Sequence, residues 1–292
     1  ADHRFLTHRG WKHVTGAEWG RARRPHLTLK NELIGTGRFA PPPREDREYQ
    51  QGYLCGIIRG DGLLASYNYD GQRRPRETLH QFRLALIDLE ALLRAQTYLS
   101  TFEVPTRQCL FQQAKMGYQP MYAIRAQARL HVERVKHLIQ WPMTATSDWH
   151  KGFLAGIFDA EGSYHRGILR LCNTSPDIIH AITDSFRRFG FAYATEMRPG
   201  TNKPVSVVRL RGGVVEHLRF FLTVKPAITR KTEVAGQAIK NQARLRVVAI
   251  EPLEVSLPMF DMTTSTSDFI ANGVVSPESR LRMAHFHQFS TS

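Results

Sequence analysis

Cysteine is scarce in this sequence: Cys55, Cys109 and Cys172 are the only three in 292 residues. The number is odd and no two stand in a C-x-x-C spacing. That argues against a disulfide framework or a cysteine zinc site and points to a reducing compartment. Long apolar runs are missing too. No stretch approaches the ~20 residues a helix needs to cross a bilayer, so no membrane span is expected. No signal-peptide pattern opens the chain, and a cytoplasmic location is the expectation. Acid is in short supply. Forty Lys and Arg outnumber 26 Asp and Glu, for a formal net charge of +14. Such an excess favours a polyanionic partner, nucleic acid first.

What is present is a repeat. "GYLCGIIRGDG" (52–62) returns as "GFLAGIFDAEG" (152–162), with Asp61 over Glu161. "FRLALI" (82–87) resembles "ILRLCN" (168–173), with Arg83 over Arg170. "YAIRAQ" (122–127) resembles "SVVRLR" (206–211), with Arg125 over Arg209. Each half then runs into a predicted helix, "HVERVKHLI" (131–139) or "VVEHLRFFL" (214–222), stopped by Pro142 or Pro226. Each half reads helix, strand pair, helix, strand pair, helix.

Alternation in the strands gives each sheet two characters. Phe82, Leu84 and Leu86 share one face, with Gln81 and Arg83 on the other. Leu169 and Leu171 oppose Arg170, while Val208 and Leu210 oppose Val207, Arg209 and Arg211. A sheet with one apolar and one basic face packs helices behind and offers cations in front. Gln81, Arg83, Arg125, Arg170, Arg209 and Arg211 are the predicted nucleic-acid-facing residues.

The motif helices carry a stripe of small residues. Gly52, Gly56 and Gly60 recur every four positions, as do Gly152, Gly156 and Ala160. Residues at i and i+4 lie on one side of a helix, so two such stripes can meet backbone to backbone. Glycine costs roughly 1 kcal/mol per site in a helix interior, and close pairing of the two helices is a sufficient reason to bear it. Pairing brings Asp61 and Glu161 together at the end of the seam. Two neighbouring carboxylates repel unless a cation sits between them, and hard oxygen ligands select Mg²⁺ or a similar divalent ion. A divalent ion on a basic surface is an arrangement for phosphodiester hydrolysis.

The two motifs resemble the paired signature of the LAGLIDADG homing endonucleases, over roughly residues 47–242. The resemblance implies an α+β fold of two pseudo-symmetric αββαββα halves with saddle-shaped antiparallel sheets. It implies a monomer that cuts both strands of a long, roughly pseudo-palindromic DNA site, in a nucleoid-associated setting. It assigns Asp61 and Glu161 as acidic metal ligands, helped by the carbonyls of Gly60 and Ala160. The family tends to place a lysine by each active site. The repeat offers Lys225, with Lys231 close by, in the second half, and Trp141 at the equivalent first-half position. The sixth motif position is Asp159 in one copy and Arg59 in the other.

The ends resemble the splicing blocks of an intein, the Hint fold. "ADHRFLTHRGW" (1–11) supplies His3; "MFDMTT" supplies Asp261; "DFIANGVV" resembles the last strand. Pro277 and Glu278 follow where an active intein has His-Asn, and no leading Cys or Ser block precedes His3. The expected organisation is a Hint remnant and linker (1–46), two nuclease halves (47–147 and 148–243) and a second Hint remnant with tail (244–292). The alternatives are a nucleic-acid-binding protein without cleavage, maturase-like or degenerate, and a protein-splicing fragment.

Overall fold

The protein is seen here as a computed structural model that describes residues 3–16, 18–19, 22–35, 41–71, 74–115, 117–200, 203–234, 245–251, 268–271 and 273–277. Asp261 lies outside the described residues. The described residues fall into two compact units. One lies within Ala1–Phe39 and Asn241–Ser292, the other within Ala40–Lys240.

The first unit opens with β1 (Arg4–Thr7) and β2 (Gly10–His13), which pair antiparallel. The turn between them needs Gly10 at a φ of 84°, which glycine adopts without a steric penalty. β3 (Glu18–Trp19) pairs with β4 (Ala22–Arg23). β5 (Glu32–Leu33) lies along the other edge of β1.

The second unit is a tandem repeat. Its first half runs α1 (Arg47–Asp61), β6 (Gly62–Gly71), β7 (Arg74–Leu86), α2 (Leu89–Thr101), β8 (Arg107–Gln112), β9 (Met121–Ala126) and α3 (Arg129–Leu138). Its second half runs α4 (Ser147–Glu161), β10 (Gly162–His165), β11 (Ile168–Asn173), α5 (Pro176–Arg188), β12 (Tyr193–Arg198), β13 (Val205–Leu210) and α6 (Gly213–Val224). Both sheets are antiparallel, with strand orders β6-β7-β9-β8 and β10-β11-β13-β12. These are the αββαββα halves that the sequence pattern predicts.

Caps start the two motif helices. Asp46 accepts the Tyr49 N–H at 3.0 Å, and Thr146 accepts the Trp149 N–H at 3.1 Å. Each helix turns straight into a strand at a glycine, and a Cβ on Gly62 or Gly162 would strike the carbonyl of Ile58 or Phe158. Between these ends the helices press together. A Cβ on Gly52 would fall on the Trp149 carbonyl, and one on Gly152 on the Tyr49 carbonyl. Gly56 and Gly156 meet the carbonyls of Phe153 and Tyr53 in the same way. The small-residue stripes are thus the contact itself.

The core surrounds this pair. Tyr49, Tyr53, Leu54, Ile57, Phe153, Leu154, Ile157 and Phe158 are fully buried. Phe82, Leu84 and Ile124 reach it from one sheet, Leu169, Leu171 and Val208 from the other. The apolar sheet faces are therefore the ones the alternation predicts. Val207, on the opposite face, is buried as well. α6 runs two residues past the predicted 222, and α3 stops one short of the predicted 139. α6 ends in a left-handed Lys225, φ 56°, immediately before Pro226, because a residue preceding proline is disfavoured in helical geometry. α3 stops at Leu138.

The chain then returns to the first unit. β14 (Leu245–Arg246) pairs with β5. β15 (Asp268–Ala271) and β16 (Val274–Pro277) form a hairpin, and the Val275 N–H donates to the Ile34 carbonyl at 2.9 Å. His3 Nε2 and Ser276 Oγ are 3.0 Å apart. Among the described residues this unit holds strands and no helix.

Candidate active site and nucleic-acid interface

Helix pairing decides where the acids sit. Asp61 and Glu161 end α1 and α4. A Cβ built on Gly60 would come within 3.3 Å of Glu161 Cγ, so the second acid lies against the end of the first helix. Burial raises the Glu161 carboxyl, the neighbouring Asp61 charge raises it further, and a hydrogen bond from Asn173 lowers it. Asn173 Nδ2 donates to Glu161 Oε1 at 3.0 Å. Asp61 reaches solvent, yet partial burial raises its carboxyl too, opposed by the Lys231 charge. Burial is the larger cause at both acids, and Glu161 also feels the charge of its neighbour.

That chemistry fits a divalent cation. Two carboxylates beside two helix-terminal carbonyls make a hard oxygen donor set. Among the described residues no group of three or more His, Cys, Asp or Glu is placed to hold a metal ion, so the acidic ligands these residues offer at the seam are Asp61 and Glu161.

Of the two lysines, Lys231 is the one whose charge acts on Asp61 and Glu161. Lys225 Nζ donates to Glu45 Oε1 at 2.6 Å on an exposed surface. Its left-handed backbone turns the chain away, and a 3-10 turn at Thr229–Lys231 brings the chain back. Lys231 Nζ donates to the Asp159 carbonyl at 2.6 Å and the Phe158 carbonyl at 3.4 Å. Burial lowers its pKa, against the pull of Asp159, Asp88 and Asp61.

The sixth motif position explains this route. The buried Asp159 carboxylate accepts from Tyr53 Oη at 2.8 Å, the Ala227 N–H at 2.8 Å and the Ile228 N–H at 3.1 Å. Burial raises its pKa against those three bonds. Arg59, at the matching place, meets carbonyl instead of N–H. Its Nε donates to the Ile139 carbonyl at 2.9 Å, and its guanidinium lies 4.1 Å from the centre of the Trp141 ring. Trp141 also packs edge-on to Trp149 and Phe153.

The arginines fall into cross-strand rows. Arg83 faces Arg125, which faces Arg107 on its other side. Arg170 faces Arg209 at the equivalent register of the second sheet. Phe111 lies under two of the first row, with Arg83 at 4.5 Å and Arg125 at 5.8 Å from its ring centre. The Nε atoms of Arg125 and Arg170 are buried without a partner. Gln81, on β7 two positions from Arg83, faces Ala65 of β6. Arg211 lies just past β13, exposed, its N–H bonded to the Ala192 carbonyl at 2.8 Å. Arg107 and Asn173 escaped the sequence reading: neither repeats between the halves.

The fold has solved relatives. It is similar to mesophilic variants of the homing endonuclease I-DmoI, with a TM-score of 0.50 and 16% identity, covering 62% of this chain and 97% of that chain. It is similar to I-DmoI in complex with DNA and Mn, with a TM-score of 0.50 and 16% identity over 61% of this chain and 97% of that one. An I-DmoI variant with its target DNA in the presence of Mg gives 0.50 and 16% over 62% and 98%. This is the LAGLIDADG fold. At this identity the likeness concerns architecture alone. No protein-family model matches the sequence, and no curated protein does. Within the LAGLIDADG fold, the paired helices, the two acids at their ends and the flanking arginine rows are this chain's own.

Proposed function

We propose that this chain is a monomeric, site-specific double-strand DNA endonuclease that depends on Mg²⁺ or another divalent cation. One observation carries the reading. Two helices packed through small residues bring Asp61 and Glu161 together in a unit whose two sheets carry matching arginine rows. A divalent cation held by these acids, with the Gly60 and Ala160 carbonyls, would neutralise phosphate charge and activate water. Asn173 orients Glu161, and Lys231 adds positive charge beside both acids. Arg83, Arg125, Arg170 and Arg209, with Gln81 and Arg211, read base edges and phosphates along a long, roughly pseudo-palindromic site. Structures of I-DmoI with DNA and Mn, and with its target DNA and Mg, support the partner and the cation by analogy of fold.

We read the first unit, whose described residues form strands, as a splicing-inactive intein remnant. The His3 and Ser276 pairing and the terminal hairpin support this, and Pro277 and Glu278 stand where splicing needs His-Asn.

The test is incubation with a randomised duplex library and Mg²⁺, followed by sequencing of cut ends. Asp61→Asn and Glu161→Gln should each lower cleavage by about a hundredfold or more, ~3 kcal/mol, and leave DNA binding within a few-fold. Tight binding without any cut ends would favour the binding-protein alternative. Near-parental cleavage by either variant would overturn the site.

A further inference from the structure

The first sheet holds one residue that the second lacks, and it stands among the arginines. β12 pairs with β13 residue for residue, from Tyr193 opposite Leu210 to Arg198 opposite Val205. β8 loses step with β9. Leu110 faces Tyr122 and Gln112 faces Met121, which leaves Phe111 between them as the extra residue of a bulge. A bulge interrupts the alternation of a strand and re-aims a side chain. The side chain here is an aromatic ring on an edge strand, 38% exposed.

Two arginines converge on that ring. Arg83 stands on β7 and Arg125 on β9, yet their guanidinium groups lie 4.5 and 5.8 Å from its centre. β9 separates β7 from β8, so Arg83 leans across a whole strand to reach it. The negative face of the ring attracts both cations and offsets their mutual repulsion. An ion pair would hold an arginine by occupying its donors. A ring holds the flat face of the guanidinium and uses none of its five N–H groups, so the fork stays available to a guanine edge. The second row has no such floor. Ala194 faces Arg209 at the register where Arg107 faces Arg125. The aromatic residue of β12, Tyr193, faces Leu210 and packs on the buried Phe186 of α5.

We infer that Phe111 is a specificity-determining positioning residue, whose ring holds Arg83 and Arg125 for base readout and makes the first sheet the stricter reader of the two. This rests on the DNA-reading part of the function proposed above. A free arginine loses much rotamer freedom when it binds, and one already held in place loses less. It also has fewer ways to follow a wrong base. A wrong base at an arginine-read position typically costs about five- to 150-fold in affinity. Removing the ring should lower that discrimination by about two- to fivefold at the positions of both arginines.

The experiment uses the full chain and reads base preference from binding. A randomised duplex library is incubated without divalent metal, and the retained duplexes are sequenced. Arg83→Ala and Arg125→Ala mark the positions that the first row reads; Arg170→Ala and Arg209→Ala mark those of the second. In the parent the first set should be the sharper. Phe111→Leu should flatten the first set and leave the second as it is, whereas Phe111→Tyr, which keeps the ring, should preserve both. A readout without DNA accompanies these: phenylglyoxal modification of Arg83 and Arg125, followed by mass spectrometry, should rise several-fold in Phe111→Leu and not in Phe111→Tyr. An unchanged profile in Phe111→Leu would overturn the inference. A sharper profile would overturn it too, because the ring would then park the arginines away from the bases. So would equal sharpness of the two sets in the parent, or a loss spread over both sets in Phe111→Leu. A parent that binds duplex but cuts none with Mg²⁺ overturns the endonuclease reading alone, since binding by itself supplies this profile.

Discussion

A Cβ placed on Gly156 would fall on the backbone carbonyl of Tyr53. The two motif helices thus touch through main chain, and every feature of the candidate site inherits its geometry from that contact. The carboxylates close in at one end of the seam. Tyr53, on the same helix face, crosses it to reach Asp159.

This contact reverses an ordinary expectation. On an open helix, replacing glycine with alanine gains about 1 kcal/mol. At Gly56 or Gly156 the added methyl meets backbone that cannot move aside, and overpacking typically costs 1–3 kcal/mol. Gly156→Ala should therefore melt below the parent, and Gly56→Leu or Gly156→Leu should damage folding and cleavage together. Ile57→Leu, one step round the helix, should cost less than about 1.5 kcal/mol. Thermal melts on the set decide the matter: a stabilised Gly156→Ala would mean the helices do not pair this closely.

The arginine rows carry a prediction about specificity. Arg83 and Arg125 share the Phe111 ring, and Arg170 faces Arg209 in the other half. Substituting any of the four with alanine should relax base preference at defined positions by about 1–3 kcal/mol, as loss of a bidentate contact does. Arg83 and Arg170 should act on opposite half-sites. Cleavage profiles on the randomised library would register this, and four unchanged profiles would reduce these residues to phosphate contacts.

The net charge of +14 carries another. If about eight phosphates are neutralised on binding, affinity should fall roughly 10³–10⁵-fold between 50 and 200 mM salt. A filter-binding titration that stays flat over this range would contradict a basic DNA-facing surface.

Periodicity exposed much of this architecture and missed what depends on a chain reversal. The helix pair, the strand faces and the matched arginines all follow from local spacing or from the repeat, which amplifies weak signals by stating them twice. Lys231 follows from neither. The left-handed turn at Lys225 hands that residue to Glu45, and no pattern in "VKPAITRK" announces that the chain will fold back to the carbonyls of α4. Asn173 is legible only once the register of β11 sets it beside Glu161. Arg59 looks like a defect in the motif until the carbonyl of Ile139, eighty residues away in sequence, explains it.

His217 offers a test that needs no DNA. It is buried in α6, its Nδ1 has no hydrogen-bond partner, and its ring packs edge-on to Tyr164 at 5.1 Å. Burial pushes its pKa down from 6.5 to about 4, with the Glu216 charge opposing weakly. The folded state therefore holds the imidazole neutral where the unfolded chain would protonate it. Between those two values the unfolded state binds more protons, so stability falls as the pH drops through that window and levels off below it. His217→Phe keeps an aromatic ring against Tyr164 and removes the titration. Its melting temperature should fall less than the parent's between pH ~7.5 and ~5. Parallel losses in the two proteins would mean that His217 is already protonated in the folded state, or reaches water more freely than its packing indicates.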